Sequence, residues 1–202
     1  AYTENGVAEQ ITLIENFITM GASQIIFSSD DNSAFGDIVA QGREKGIQFI
    51  AYAASSVPFD VDAMCNTSGR NAGLNLAHLL VAFLDEHYPD AADGSIGLAR
   101  STNSLNTEDD PRNAAVDEVL LADSRVDTER IYSDDCIYVV DQGYTFAEEA
   151  LTFNPDIRLF AGYTEGIAMG VNNYIAGRAE LKMEDYCAVG AGYSDAAVAL
   201  VN

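Results

Sequence analysis

The stretch IRLFAGYTEGIAMGVNNYIAGRA, residues 157–179, decides the fold class. Its opening, Ile157 to Gly162, is short and rich in apolar residues, which reads as a buried strand. After a brief polar link, Glu165 to Ala179 reads as a helix. Working outward, the same alternation returns on both sides. Tyr186 to Gly190 (YCAVG) is the last strand, and a helix starts near Ser194. Upstream, Thr145 to Phe153 reads as a helix and Arg130 to Tyr132 as a short strand. Pro111 suits the first turn of a helix that reaches about Leu121. Ser95 to Ala99 (SIGLA) is a strand, followed by a polar loop from Ser101 to Asp110. A longer helix runs from about Arg70 to His87, with Leu76, Leu79, Leu80 and Phe83 on its apolar side. Further upstream lie the strands Ile47 to Ala53 (IQFIAYA) and Gln24 to Ser28 (QIIFS). Between these two, Ser33 caps a helix carrying Ile38 and Val39 that ends near Gly46. Val7, Ile11, Ile14 and Ile18 recur at helical spacing, and Gly21 closes that first helix.

Strands of this length joined by helices imply right-handed βαβ units, hence parallel sheets covered by helices. The polar stretch from Ser55 to Ser68 is the best candidate for a crossing between two lobes. In open parallel sheets, ligands sit beyond the carboxyl ends of the strands. That rule selects Ser28 to Asp31, Tyr52 to Ser56, Ser101 to Asn106, Tyr163 to Glu165, and Gly192 to Asp195, all of them polar or small.

Composition narrows the partners. Hydrophobic residues make up 48% and charged residues 21%, which is ordinary for a globular chain. No apolar run approaches the ~18 residues of a membrane span. The chain has no initiator Met and no basic segment followed by an apolar one, so it reads as mature or trimmed. Thirty-two acidic residues against 10 basic give a net charge of -22. That balance repels nucleic acid and acidic membrane surfaces, which both need a basic footprint. Cys65, Cys136 and Cys187 show no CxxC spacing and read as small buried apolar residues, with room for one disulfide among them. His78 and His87 have no nearby Cys, so no zinc site is expected.

These segments, in this order, resemble the type I periplasmic binding proteins that feed sugar transporters. QITLIENFITMGASQIIFSSDDNSAFGDIVAQGREKGI looks like the family's second helix, strand and third helix. The likeness continues through IQFIAYA, SGRNAGLNLAHLL and the Arg of TEDDPRNAAVDEVL, and through LFAGYTEGIAMGV and CAVGAGYSDAA. The resemblance implies two Rossmann-like α/β lobes. The first is incomplete over residues 1–67 and the second nearly complete over 68–202, so the chain reads as a fragment. It also implies an extracytoplasmic protein, in the periplasm or a cell-surface lipoprotein. Such a protein captures a small polar ligand, a sugar, between its lobes and delivers it to an ABC-transporter permease. No cofactor and no catalysis are implied. The alternative on the same fold is the ligand-sensing domain of a LacI-like transcriptional regulator. The contact positions depart from the family's pattern in places: its Asp-Arg pair falls at Ala53 and Ala54, its Asn-Asp pair at Tyr163 and Thr164, and its last acidic contact at Gly192. The family's binding Arg is retained as Arg112.

The candidate ligand-binding residues follow. Arg112 begins a helix after a polar loop, where a guanidinium offers a planar fork to two ligand oxygens. A surface ion pair to Asp109 or Asp110 is the competing role. Tyr52, Tyr163 and Tyr193 fall at strand ends, where aromatic faces stack on sugars or bases. Ser28, Asp30 and Asn103 are further hydrogen-bonding candidates. Enzymatic patterns fail. GYSDA (192–196) approaches a nucleophile elbow but ends in Ala, and both histidines lie upstream. The Gly190 and Gly192 run lacks the third glycine of a dinucleotide loop. DDNSAFGD has Ala34 where a calcium loop needs a ligand. The pairs Asp30-Asp31, Asp109-Asp110 and Asp134-Asp135 read as solvated loop acids.

Overall fold

The computed structural model describes residues 6–28, 32–52, 57–65, 68–102, 111–136, 139–192 and 194–197. Two compact units make up the chain, Ala1–Thr67 and Ser68–Asn202.

In the first unit, α1 (Val7–Thr19) leads to β1 (Gln24–Phe27). A 3₁₀ turn (Asn32–Phe35), α2 (Gly36–Glu44), β2 (Gln48–Tyr52) and β3 (Ala63–Cys65) follow. The strands form a parallel sheet in the order β1-β2-β3. Both helices end in the same way. Gly21 and Gly46 take φ of 75° and 81°, a left-handed conformation that costs glycine nothing. The amides of Gly46 and Ile47 then donate to the carbonyls of Arg43 and Gly42, closing a Schellman motif, and Gly21 and Ala22 do the same over α1. The helix ends turn the chain into the next strand, so alternate strand residues face the helices. Ile25 and Phe27 of β1 and Phe49 and Ala51 of β2 pack with Ile14, Ile18, Ile38 and Val39. Gly42 is small because the Phe49 ring lies where its side chain would be, with a Cβ only 2.5 Å from the ring. Ser33 was expected to cap α2; instead Phe35 holds the cap position, without a side-chain cap bond, and is 1% exposed. Burial of that ring outweighs a hydroxyl cap, since a fully buried aromatic stabilises by about 1.5–3 kcal/mol and a cap by about 1.

The second unit runs α3 (Gly69–His87), β4 (Gly97–Thr102), α4 (Pro111–Leu120), β5 (Tyr132–Asp135), α5 (Val140–Phe153), β6 (Ile157–Gly162), α6 (Glu165–Ala176) and β7 (Cys187–Gly190). All four strands are parallel, in the order β5-β4-β6-β7. The sheet is buried on both faces, as the apolar run of β6 requires. Leu98, Leu159 and Ala161 pack with Leu76, Leu80 and Leu84 of α3 and Val116 and Leu120 of α4. Ala99, Ile157 and Phe160 pack with Phe146 and Ala150 of α5 and Ile167, Val171 and Ile175 of α6. Glycines let each helix pair close up. A Cβ on Gly73 would collide with the Arg112 carbonyl, one on Gly143 with that of Ile167, and one on Gly170 with that of Val140. Ser68 caps α3, its hydroxyl accepting from the Asn71 amide at 3.2 Å.

This α/β architecture with parallel sheets is the expected one. Several details differ. Leu79 is 58% exposed rather than on the apolar side of α3, because Gly73, Leu76, Ala77, Leu80 and Leu84 define the buried stripe and Leu79 points away from it. The short strand expected at Arg130 to Tyr132 is instead β5, two residues later. The strand expected at Ser95 to Ala99 extends to Thr102. All three cysteines are free thiols. Cys136 is buried and Cys187 partly buried, as expected, but Cys65 is exposed on the short outer strand β3.

Candidate functional site

Within the second unit, the carboxyl ends of β4, β6 and β7 meet the first turns of α4 and α6. Ser101 joins them. It is fully buried near the end of β4, and its two oxygens serve different elements. Its hydroxyl oxygen accepts a hydrogen bond from the Tyr163 amide just past β6. Its carbonyl accepts from Asn113 Nδ2, in the first turn of α4, at 3.0 Å in a buried setting. One small polar residue thus ties three elements together, and its burial is compensated because both of its polar groups are bonded.

Arg112 precedes Asn113 and is held from the same side. Its Nη1 donates to the Tyr163 carbonyl, and its guanidinium carbon lies 4.2 Å from the centre of the Tyr163 ring. The ring is 9% exposed, so it is a platform under the guanidinium more than an open surface. A guanidinium stacked on an aromatic face has its plane fixed.

Glu165 stands at the start of α6, two residues beyond Tyr163 and on the same rim. Its carboxylate lies against Gly192, two residues beyond the end of β7. The rim therefore carries a cation, a carboxylate, an aromatic ring and buried amide and hydroxyl groups. It has the makings of a binding site for a polar, hydroxyl-bearing molecule.

Burial, with Asp134 nearby, pushes the Cys136 thiol up to about 12, and burial pushes that of Cys187 up to about 11. Both thiols are protonated at neutral pH. Among the described residues, no cluster of three His, Cys, Asp or Glu side chains could hold a metal ion.

The other candidates are distributed as follows. Ser28 follows β1 and is exposed, with its carbonyl accepting from Gln10 Nε2 at 3.4 Å. Tyr52 ends β2 and is 55% exposed. Asp30, Asn103 and Tyr193 lie outside the described residues, as do Asp109 and Asp110. Of the candidates, the structure brings together Arg112 and Tyr163. It adds Ser101, Asn113 and Glu165, which sequence reasoning did not single out. Ser101 and Glu165 did lie within the strand-end segments. The adjacency of Asn113 to Arg112 was the one available signal for the third.

The family model described as periplasmic binding protein domain matches residues 1–202. Several solved structures are similar in fold. A periplasmic ribose ABC transporter protein from Conexibacter woesei shares 21% identity at a TM-score of 0.73, covering 96% of this chain and 62% of that one. A Mycobacterium smegmatis protein in complex with β-D-fucofuranose shares 16% at 0.72, covering 87% and 56%. The periplasmic binding protein component of an arabinose ABC transporter from Shewanella sp. ANA-3, bound to L-arabinofuranose, shares 15% at 0.72, covering 90% and 59%. The chain thus spans between 56% and 62% of the length of these three structures. No curated protein matches the sequence.

Proposed function

This chain belongs to the periplasmic binding protein domain family, and on that premise we propose that it captures a small polar ligand of the sugar class. Capture serves uptake through an ABC-transporter permease, outside the cytoplasm, and leaves the ligand chemically unchanged. Residues 1–67 belong to one lobe of the capturing protein and residues 68–202 to the other. The observation that carries the reading is the strand-end rim of the second unit. There, Ser101 and Asn113 brace a guanidinium stacked on Tyr163, at the place where open parallel sheets receive ligands. The ligand contacts assigned to this protein are Arg112, Tyr163, Tyr52, Tyr193, Ser28, Asp30 and Asn103. The sugar transporters among the similar folds support transport over transcriptional regulation.

Thermal unfolding against a panel of sugars, nucleosides and amino acids tests this. A ligand at 100 times its dissociation constant adds ~2.7 kcal/mol, an upward shift of several degrees for a chain of this size. A shift with sugars that disappears in Arg112→Ala is the expected result. A shift with nucleosides or amino acids alone refutes the sugar class, and the same sugar shift in Arg112→Ala refutes the site.

A further inference from the structure

The excess of acid shapes the folded surface as well as the composition. The sequence holds 8 Arg and only 2 Lys against its 32 acidic residues. Most of the arginines are engaged within the fold. Arg43 pairs with Asp62, Arg70 with Glu118, Arg100 with Asp117 and Arg178 with Glu148. Arg112 and Arg158 stack on Tyr163 and Tyr186. Pairing cannot absorb the remainder: if every Lys and Arg neutralised one carboxylate, 22 would still carry charge. Among the described helices, α1, α4, α5 and α6 have no basic residue in the last turn, where a cation would offset the negative end of the helix dipole.

Folding gathers part of this excess at one end of the second unit. Arg125 draws the end of α3 and the α4–β5 connection together, bonding Asp85 at 2.8 Å and Asp123 at 2.6 Å. Ser124 donates to Asp93 at 2.7 Å, and the Tyr88 hydroxyl donates to the Asp185 carbonyl at 2.9 Å, which adds the turn before β7. The segments so joined, 85–93, 123–129 and 184–185, hold nine Asp or Glu residues and one Arg, with Arg130 and Lys182 flanking them. These segments are distant in sequence, so their charges lie apart in the unfolded chain and come close only on folding. Their repulsion therefore weighs on the folded state.

We infer that this fold is conditional on ionic strength: mobile cations screen the carboxylates, and in dilute buffer the second unit loosens at the end around Arg125. The ions occupy no fixed site, and any salt at the same ionic strength serves. The screening length shrinks from about 30 Å at 0.01 M to about 3 Å at 1 M, so repulsion that spans this end of the unit in dilute buffer is confined to immediate neighbours in salt. Salt weakens the ion pairs as well, but exposed pairs contribute little, and the acids outnumber the cations 32 to 10.

Melting of the full chain, followed by far-ultraviolet circular dichroism from about 0.01 to about 1 M KCl, tests this. NaCl, choline chloride and CaCl2 are run at matched ionic strength, and sucrose controls for exclusion of solute from the protein surface. Beside the parent stands Glu86→Lys/Asp90→Lys/Glu129→Lys/Glu184→Lys, which reverses four exposed acids at this end of the unit, away from the rim. The melting temperature of the parent should rise by several degrees, equally in all four salts, and level off toward 1 M. The variant should melt above the parent in dilute buffer and follow a flatter salt curve. A parent melting temperature that stays within a degree across the series, or falls, overturns the inference. So does a rise that sucrose reproduces and that continues undiminished at the highest salt, which is exclusion and not screening. A gain with micromolar CaCl2 and none with KCl overturns it in favour of a bound ion. A parent that responds to salt and a folded variant with the same curve overturn the assignment to this end of the unit. If the variant does not fold, the four-salt comparison on the parent decides, since screening follows ionic strength and not the identity of the cation.

Discussion

Replacing Ser101 by alanine removes one oxygen atom from the strand-end rim and leaves the backbone untouched. The Asn113 contact survives, because it is made to the Ser101 carbonyl. What disappears is the acceptor for the Tyr163 amide, and that amide sits in a buried setting beside a residue with no exposed surface. An unmet buried donor costs about 1–3 kcal/mol, whereas the exchange of hydroxyl for hydrogen gains little in return. For a domain of this size each kcal/mol is worth roughly 2–4 °C, so the melting temperature should fall by about 2–12 °C. Circular dichroism in the far ultraviolet suits the measurement, since the chain has no Trp to report by fluorescence. Urea titration with the same signal separates a stability loss, which moves the midpoint, from a change in exposed surface, which moves the slope. A melting temperature within a degree of the parent would refute the claim that Ser101 braces the rim. The hydrogen bond to Tyr163 would then be no better than one to water.

Tyr163→Leu forfeits a cation–π contact of about 0.5–2 kcal/mol and should weaken sugar binding severalfold by calorimetry. Gly46→Ala forces a side chain into φ of 81° at the end of α2 and should cost about 1–2 kcal/mol, read from the urea midpoint. Cys136 should resist Ellman's reagent at pH 8 in the folded chain while the exposed Cys65 reacts. Because the folded Cys136 thiol holds its proton up to about 12 against an ordinary 9.0, its contribution is intact below pH 9 and is lost as pH rises through that window. The melting temperature should therefore fall from pH 9 upward, and less steeply in Cys136→Ala.

The central rim strands β4 and β6 were legible because most of their residues are buried. β6 reads as a nearly continuous apolar run, and β7 and the start of β4 do the same on a shorter scale. Two of the outer strands, β5 and β3, were not. β5 is Tyr-Ser-Asp-Asp with alternating partial exposure, and β3 is three exposed residues inside a polar stretch. An edge strand is held by hydrogen bonds to one neighbour, and those leave no mark in the side-chain pattern. Ser101 was read as loop for a related reason. Polarity in a sequence signals solvent by default, and a buried polar residue is indistinguishable until its partners are placed. Those partners, Tyr163 and Asn113, come from two other elements. α5 begins at Val140, ahead of the expected Thr145, since its first turn holds Gly143, buried against α6 without an apolar side chain to announce it.

One position that departs from the expected contact pattern is engaged within the fold. Tyr163 stands where a polar contact was expected. Its ring has turned inward to 9% exposure and bears the Arg112 guanidinium, while its backbone bonds to both Ser101 and Arg112. The Glu165 carboxylate lies against Gly192, where the resemblance had led to an acid being expected. Specificity in a strand-end site is a property of the volume beyond the sheet, and several segments reach that volume.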